Sequence, residues 1–427
     1  ALRVVGLKGE QAGRSADDLA HALGIDAVLN GDLQRSGDTV RITLRLVSTA
    51  GGRALWARTY DGELRRILDL QDEVARSVAD RISISLTFAE RSRLSAAKPE
   101  IDPAAYQAYL RGWHFLERVS GPDFRRALGY FHDAIKIDPA YAPAYVGLAL
   151  TYEELGYYGL EPPSEAYPRS RSAALKALEF DSTMGEAHAT LASYDASYSW
   201  NFEAAEEGYR RALELSPKFA RGHFEYGMLL TSLGRIDEAL EQMRQSQELD
   251  PLSQLNQAAA ARPYYNGRRY EEAIVQAKRA LELDSTFSRA HYWLGMTYAQ
   301  IGRARDAITE FELTLRQAGA VPVYQAALAY AYARAGEKAR ARAMLAALQE
   351  EARSKPVSGV EIAAVHAALG NTEACFEWLS HAFERRDPLM RFVAVDPRLD
   401  PVRSDTRFEA LLARVGFPPR RAGSPSP

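Results

Sequence analysis

Between Ala220 and Gly319, small and apolar residues return to the same places at a fixed step of 34 residues, three times over and without an insertion. Tyr226, Ala260 and Leu294 share one slot, and Gly227 reappears two units later as Gly295. Each unit is then broken at Gly234, near Gly267 and at Gly302, and resumes with Ile236, Tyr270 and Ala304. Ala239, Ala273 and Ala307 follow, each with an apolar residue one helical turn further on: Met243, Ala277 and Phe311. Pro251, Ser285 and Gly319 close the units. This pattern predicts two helices per unit, crossing where the residues are small, with an apolar plug beside the crossing.

The same register runs outward less regularly. Gly112, Phe115, Ala127, Phe131, Ala134 and Pro139 mark a first unit, lengthened around Ser120-Gly121-Pro122. Tyr145, Leu148, Ala149, Tyr152 and Ala177 mark a second, with a loop near Gly156 to Pro163. Leu191, Ala192, Ala205, Tyr209, Ala212 and Pro217 mark a third. After the central trio come a seventh (Ala329, Tyr332, Gly336, Ala341, Leu345) and an eighth (Ile362, Ala363, His366, Gly370, Cys375, Leu379, Ala382). A 34-residue period of this kind resembles the tetratricopeptide repeat. The resemblance implies a mainly α fold: a right-handed α-solenoid of about eight helix pairs over 103–389. In such repeats the first helices line a concave groove. The groove-facing slots here hold Arg221, Phe224, Met228, Arg262, Tyr265, Asn266, Arg289, Tyr292, Met296, Gln300, Tyr330 and Arg334. Arginine forks among aromatic faces suit an extended peptide bearing carboxylates, so the expected partner is a protein or peptide segment.

Outside the repeats the period changes. Residues 1–62 read as a small α/β domain, incomplete at its start. Leu2 to Val5 is a short strand, and Ser15 with Asp18 opens a helix ending at Gly24. Ala27 to Arg35 and Thr39 to Ser48 are strands, the second alternating Val40, Ile42, Leu44 and Leu46 with Arg41, Thr43 and Arg45. Arg53 to Tyr60 completes an antiparallel meander. Over 63–102, Ile67, Leu70, Val74, Val78 and Ile82 predict an amphipathic connecting helix, and Thr87 with Glu90 predicts a second. Residues 390–417 leave the repeat register, with Arg407 to Val415 a closing helix over the last apolar face; 418–427 is a Pro/Ser tail expected to be disordered.

Two further stretches resemble one family. Leu23 to Gly31, Gly37 to Thr43, Leu55 to Asp61 and Leu70-Gln71-Asp72-Glu73 are similar to the TolB amino-terminal-like (FlgO-like) domain. Asp396-Pro397-Arg398-Leu399-Asp400-Pro401-Val402-Arg403 to Phe408 is similar to the ending of the bacterial regulators that carry this domain before tetratricopeptide repeats. The resemblance implies an effector upstream in the same polypeptide: a Ser/Thr protein kinase, a class III adenylate cyclase or a winged-helix domain. It also implies a membrane-anchored regulator, with this chain on the cytoplasmic or the extracytoplasmic side. Ala1 is not an initiator methionine, which leads us to expect a chain processed or cut from something longer.

Composition narrows the chemistry. A net charge of −3 argues against direct nucleic-acid binding, and no apolar run reaches the 18 residues of a membrane span. No phosphate-binding glycine loop, zinc-protease or nucleophile-elbow motif occurs, so neither a catalytic residue nor a cofactor is expected in this chain. His188, His223 and His291 fall in one repeat slot, but neighbouring helices lie about 8–10 Å apart, too far to share a metal. Packing is their expected role. Cys375 stands where other units place alanine and reads as a buried small residue, and Glu153-Glu154 and Glu271-Glu272 read as solvated helix faces.

Overall fold

The computed structural model describes residues 27–48, 53–81, 101–117, 121–251 and 253–418. The strand at Leu2, the helix at Ser15, the helix at Thr87 and the tail from Arg420 lie outside them. The chain divides into two compact units, 1–110 with 133–141 and 111–132 with 142–427.

The first unit holds an antiparallel sheet of strands β1 (Ala27–Ser36), β2 (Thr39–Ser48) and β3 (Ala54–Glu63) in the order β1-β2-β3. Gly37, at φ +61°, makes the tight turn between β1 and β2. One face buries Val40, Leu44 and Tyr60 against Leu64 and against Ile67 and Leu70 of helix α1 (Ile67–Arg81). The other face pairs Arg41 with Asp61 at 2.7 Å and Thr43 with Thr59 at 3.2 Å, directly across β2 and β3. The period-two alternation therefore sorts the strands as the sequence requires.

Eight helix pairs follow among the described residues, and the molecule is mainly α. The first, α2 (Pro103–Leu116) and α3 (Gly121–Ile137), is divided between the units. The second and third are α4 (Ala142–Tyr157) with α5 (Pro163–Phe180), and α6 (Gly185–Tyr194) with α7 (Phe202–Leu215). The fourth is α8 (Ala220–Ser232) with α9 (Ile236–Leu249). In the fifth, the first helix is split into α10 (Gln254–Ala259) and α11 (Ala261–Asn266), packed on α12 (Tyr270–Leu283). The split has a local cause: Pro263 has no N–H to give Ala259, and its ring crowds that carbonyl. The sixth to eighth are α13 (Ser288–Gln300) with α14 (Ala304–Ala318), α15 (Pro322–Arg334) with α16 (Lys338–Glu351), and α17 (Gly359–Leu369) with α18 (Thr372–Glu384).

Each crossing is a matched pair of sizes. A Cβ on Gly295 would stand 2.7 Å from the Phe311 ring, and one on Gly227 3.0 Å from the Met243 methyl. Where the crossing residue is Ala261, the plug is only Ala277. Ala239, Ala273 and Ala307 are all fully buried.

The turns between paired helices recur at 200, 234, 268, 302, 336 and 370, all left-handed. Four are glycines, but Trp200 (φ 58°) and Arg268 (φ 57°) are not. The fifth unit was expected to turn near Gly267; the left-handed residue is Arg268, while Gly267 keeps φ −80°. Side chains at such φ values cost stability unless something holds them.

What holds them comes far later in the sequence. After α18, short 3-10 helices at Pro388–Phe392 and Pro397–Val402 lead to α19 (Thr406–Val415). Arg268 donates to Asp400 Oδ1 at 2.7 Å and to the Val395 carbonyl at 3.3 Å. Trp200 packs on Phe383 and lies 4.4 Å beneath the Arg386 guanidinium, itself at φ 54°. Phe417 meets Phe202 of the third pair, with ring centroids 4.9 Å apart. Residues 386–417 thus do more than cover the eighth pair: they return to the third, fourth and fifth.

Candidate functional site

The returning segment lies along the inner face of the second unit and leaves a cavity of about 100 Å³ beneath it. Phe224, Met228, Arg262, Tyr265, Asn266, Arg289, Tyr292 and Met296 line this cavity, so eight of the twelve expected groove residues share one site. Arg221 stands behind it, ion-paired to the lining residue Glu154 at 2.9 Å. Gln300 donates to the hydroxyls of Tyr265 (3.1 Å) and Tyr330 (2.9 Å), bracing the wall from outside. Arg334 is exposed at the end of α15 and does not line the cavity.

The other walls come from residues that repeat geometry does not single out. The end of α4 contributes Glu153 and Tyr157, the turn after it Tyr158, and the returning segment Leu389, Arg391, Asp396 and Arg398. Helical spacing reveals the first helices of each pair but says nothing of a distant segment that folds back. The Asp-Pro-Arg-Leu-Asp-Pro motif was the available signal, and its residues do more than end a fold. Asp396 accepts from its own Arg398 N–H at 2.9 Å, starting the 3-10 turn. Its side chain and that of Glu361 then clamp the Arg398 guanidinium at 2.7 and 2.5 Å, all three buried. Burial works against each charge, but the pairing outweighs it, holding Asp396 below the usual carboxylate range and Arg398 above its own.

Three arginines at the cavity are differently placed. Arg262 lies 3.3 Å from the Phe392 ring centroid and donates to the Tyr157 hydroxyl at 3.3 Å. Arg289 donates to the Tyr158 hydroxyl, and Arg391 to Ser197 Oγ at 2.7 Å. Glu153 corrects the expectation of a solvated acidic pair: it is enclosed and accepts from the Ser193 hydroxyl, and its remaining surface opens on the cavity. Burial, then the nearby Glu225, pushes its carboxyl up to about 8, and burial raises Glu225 as well. Glu271 and Glu272 are exposed, the latter bonded to Arg269.

The three histidines have a common job. His188, His223 and His291 each engage, through Nε2, the carbonyl six residues back: Ser182, Pro217 and Ser285, at 3.0 to 3.1 Å. His223 and His291 also bond Gln242 and Glu310 of the facing helix, at 2.7 and 2.6 Å. Among the described residues no group of three or more His, Cys, Asp or Glu side chains could hold a metal ion. Cys375 is fully buried, which pushes its thiol up to about 12.

Residues 191–253 match a family model described as "Tetratricopeptide repeat", and residues 262–302 one described as "TPR repeat". The helix pairs within these two stretches are tetratricopeptide repeats. The chain is 29% identical over 177 residues to "Putative adenylate cyclase 3" of Rhizobium meliloti, covering 41% of this chain and 30% of that protein. It is 27% identical over 143 residues to "Transcriptional regulator HilA" of Salmonella typhimurium, covering 34% of this chain and 26% of the other. The chain therefore spans less than a third of these curated relatives. Among solved structures, a monomeric mutant of IFIT1 with Gppp-AAAA shares the fold at TM-score 0.51 and 17% identity, over 75% of this chain and 77% of that one. The Cut9–Hcn1 assembly does so at TM-score 0.50 and 14% identity, over 81% and 59%. Tetratricopeptide repeats are protein-interaction scaffolds, and the named relatives are regulatory or signalling proteins. No helix among the described residues is long and apolar enough to cross a membrane.

Proposed function

We propose that this chain is the non-catalytic, protein-binding and sensory part of a bacterial signalling regulator, and that its inner face captures an extended protein segment. One observation carries this reading: the inner face already grips a stretch of non-α-helical chain, Pro388 to Val402, through arginine forks and aromatic rings. A partner segment with similar chemistry, carboxylates flanked by prolines and apolar side chains, would meet the same donors by displacing Pro388 to Val402. The effector it serves lies upstream of Ala1 in this reading. Similarity to a cyclase-named relative and to a transcriptional regulator favours a cyclase or a winged-helix domain over a kinase. The resemblance of Leu23 to Gly31, Gly37 to Thr43, Leu55 to Asp61 and Leu70 to Glu73 to the TolB amino-terminal-like domain, read from the sequence alone, fits the same arrangement. Replacing Arg262→Glu together with Arg289→Glu tests the face: the set of captured partner proteins should shrink while helix content is retained. An unchanged set would sink the groove reading, and nucleotide turnover by the isolated chain would sink the non-catalytic one.

A further inference from the structure

The charged groups around the cavity are unequally satisfied. Arg398 is saturated by Glu361 and Asp396, and Arg221 is engaged by Glu154. Those carboxylates are therefore occupied. Arg262, Arg289 and Arg391 donate their hydrogen bonds to uncharged oxygens, the Tyr157 and Tyr158 hydroxyls and Ser197. Glu153 and Glu225, whose carboxyls burial raises toward the neutral form, share the cavity, and Arg391 acts on the second of them. Arg391 is 4% exposed and its Nε has no partner; the buried Nε of Arg262 and the Oδ1 of Asn266, a residue 2% exposed, have none either. A buried guanidinium hydrogen-bonded only to neutral oxygens, with a donor left over, is an unfinished anion site. The cavity is also the right size for something small. One water needs about 10–15 Å³ on this measure, so about 100 Å³ admits a molecule of several heavy atoms but not a peptide.

We propose that this cavity binds a small anionic metabolite, a molecule of a few carbons bearing a carboxylate or a phosphate, with its charge among Arg262, Arg289 and Arg391 and a hydroxyl or amine against Asn266. Leu389 would form its roof, since the returning segment contributes it to the cavity wall, and Phe392 would hold Arg262 in place from behind. The ligand would tie that segment to the inner face, which makes the cavity the sensory part of the module. The inference goes beyond segment capture and needs no partner protein.

Titration calorimetry and thermal unfolding of the full chain with succinate, glycerol 3-phosphate and inorganic phosphate test it, and the first two probes separate carboxylate from phosphate. Saturable binding of one probe, one per chain, with a raised unfolding midpoint is expected. Arg289→Gln should weaken that binding at least tenfold with unchanged helix content, and Arg289→Lys should restore part of it. Arg262→Gln is the second variant should Arg289→Gln not fold. The proposal is overturned if none of the three probes saturates or if both glutamine variants bind as the parent does. Because these titrations contain no second protein, their failure leaves partner capture standing, and failure of capture leaves them standing.

Discussion

Gly295 has no side chain because the Phe311 ring stands 2.7 Å from where a Cβ would go. Gly295→Ala should therefore cost about 1–3 kcal/mol, as overpacking does. Urea titration should show a lower midpoint with the slope unchanged. Two titrating groups give pH dependence. The bond from Glu310 raises His291 above its ordinary 6.5, so the stability it adds is fully present below 6.5 and is lost as pH rises through the raised value. Glu153, raised from 4.5 to about 8, behaves alike: its contribution is complete below 4.5 and has gone once pH passes 8. Unfolding free energies measured from pH 5 to 9 should fall less steeply in Glu153→Gln than in the parent. The buried alanines at the crossings were legible from the 34-residue step alone. The enclosure of Glu153 was not, because the groups around it come from Ser193 and from chain far beyond it.

At the scale of elements, periodicity located helices well and their interruptions poorly. The strands agree with the alternation to within a few residues, since a one-residue slip would turn every apolar side chain outward. The break in the fifth pair was written in Pro263 but hidden by a repeat that otherwise kept step. Arg268 shows an element under conflicting demands. Arg268→Gly should relieve the left-handed backbone yet cut the links to Asp400 and Val395, whereas Arg268→Ala loses the links and keeps the strain. Thermal midpoints should fall in the order parent, glycine, alanine. Removing the clamp is harsher. Arg398→Ala strands two buried carboxylates and should cost about 3–5 kcal/mol by denaturant unfolding.

Within the second unit as a whole, an open stack of repeats would be stabilised by nearest neighbours alone and would fray from its ends. Here Arg391 reaches Ser197 across 194 residues of chain, and Arg386 reaches the Tyr198 carbonyl across 188. Deleting 386–427 should therefore split one cooperative unfolding transition into broader, overlapping ones, visible by calorimetry as a calorimetric enthalpy above the van't Hoff value. The stacking of helix pairs was readable because every unit repeats the same local instructions. The return was not, because it depends on a single copy of a proline-broken motif meeting residues from three different pairs.

That return also sets an order of events during synthesis. Helix pairs can form as they leave the ribosome, since their contacts are local, but the loops joining Trp200 to Phe383 and Phe202 to Phe417 close only when residues 383–417 emerge. For most of translation the aromatic lining of the second unit has no lid, and a nascent chain that stalls before Phe383 presents it to whatever chaperone or protease is near.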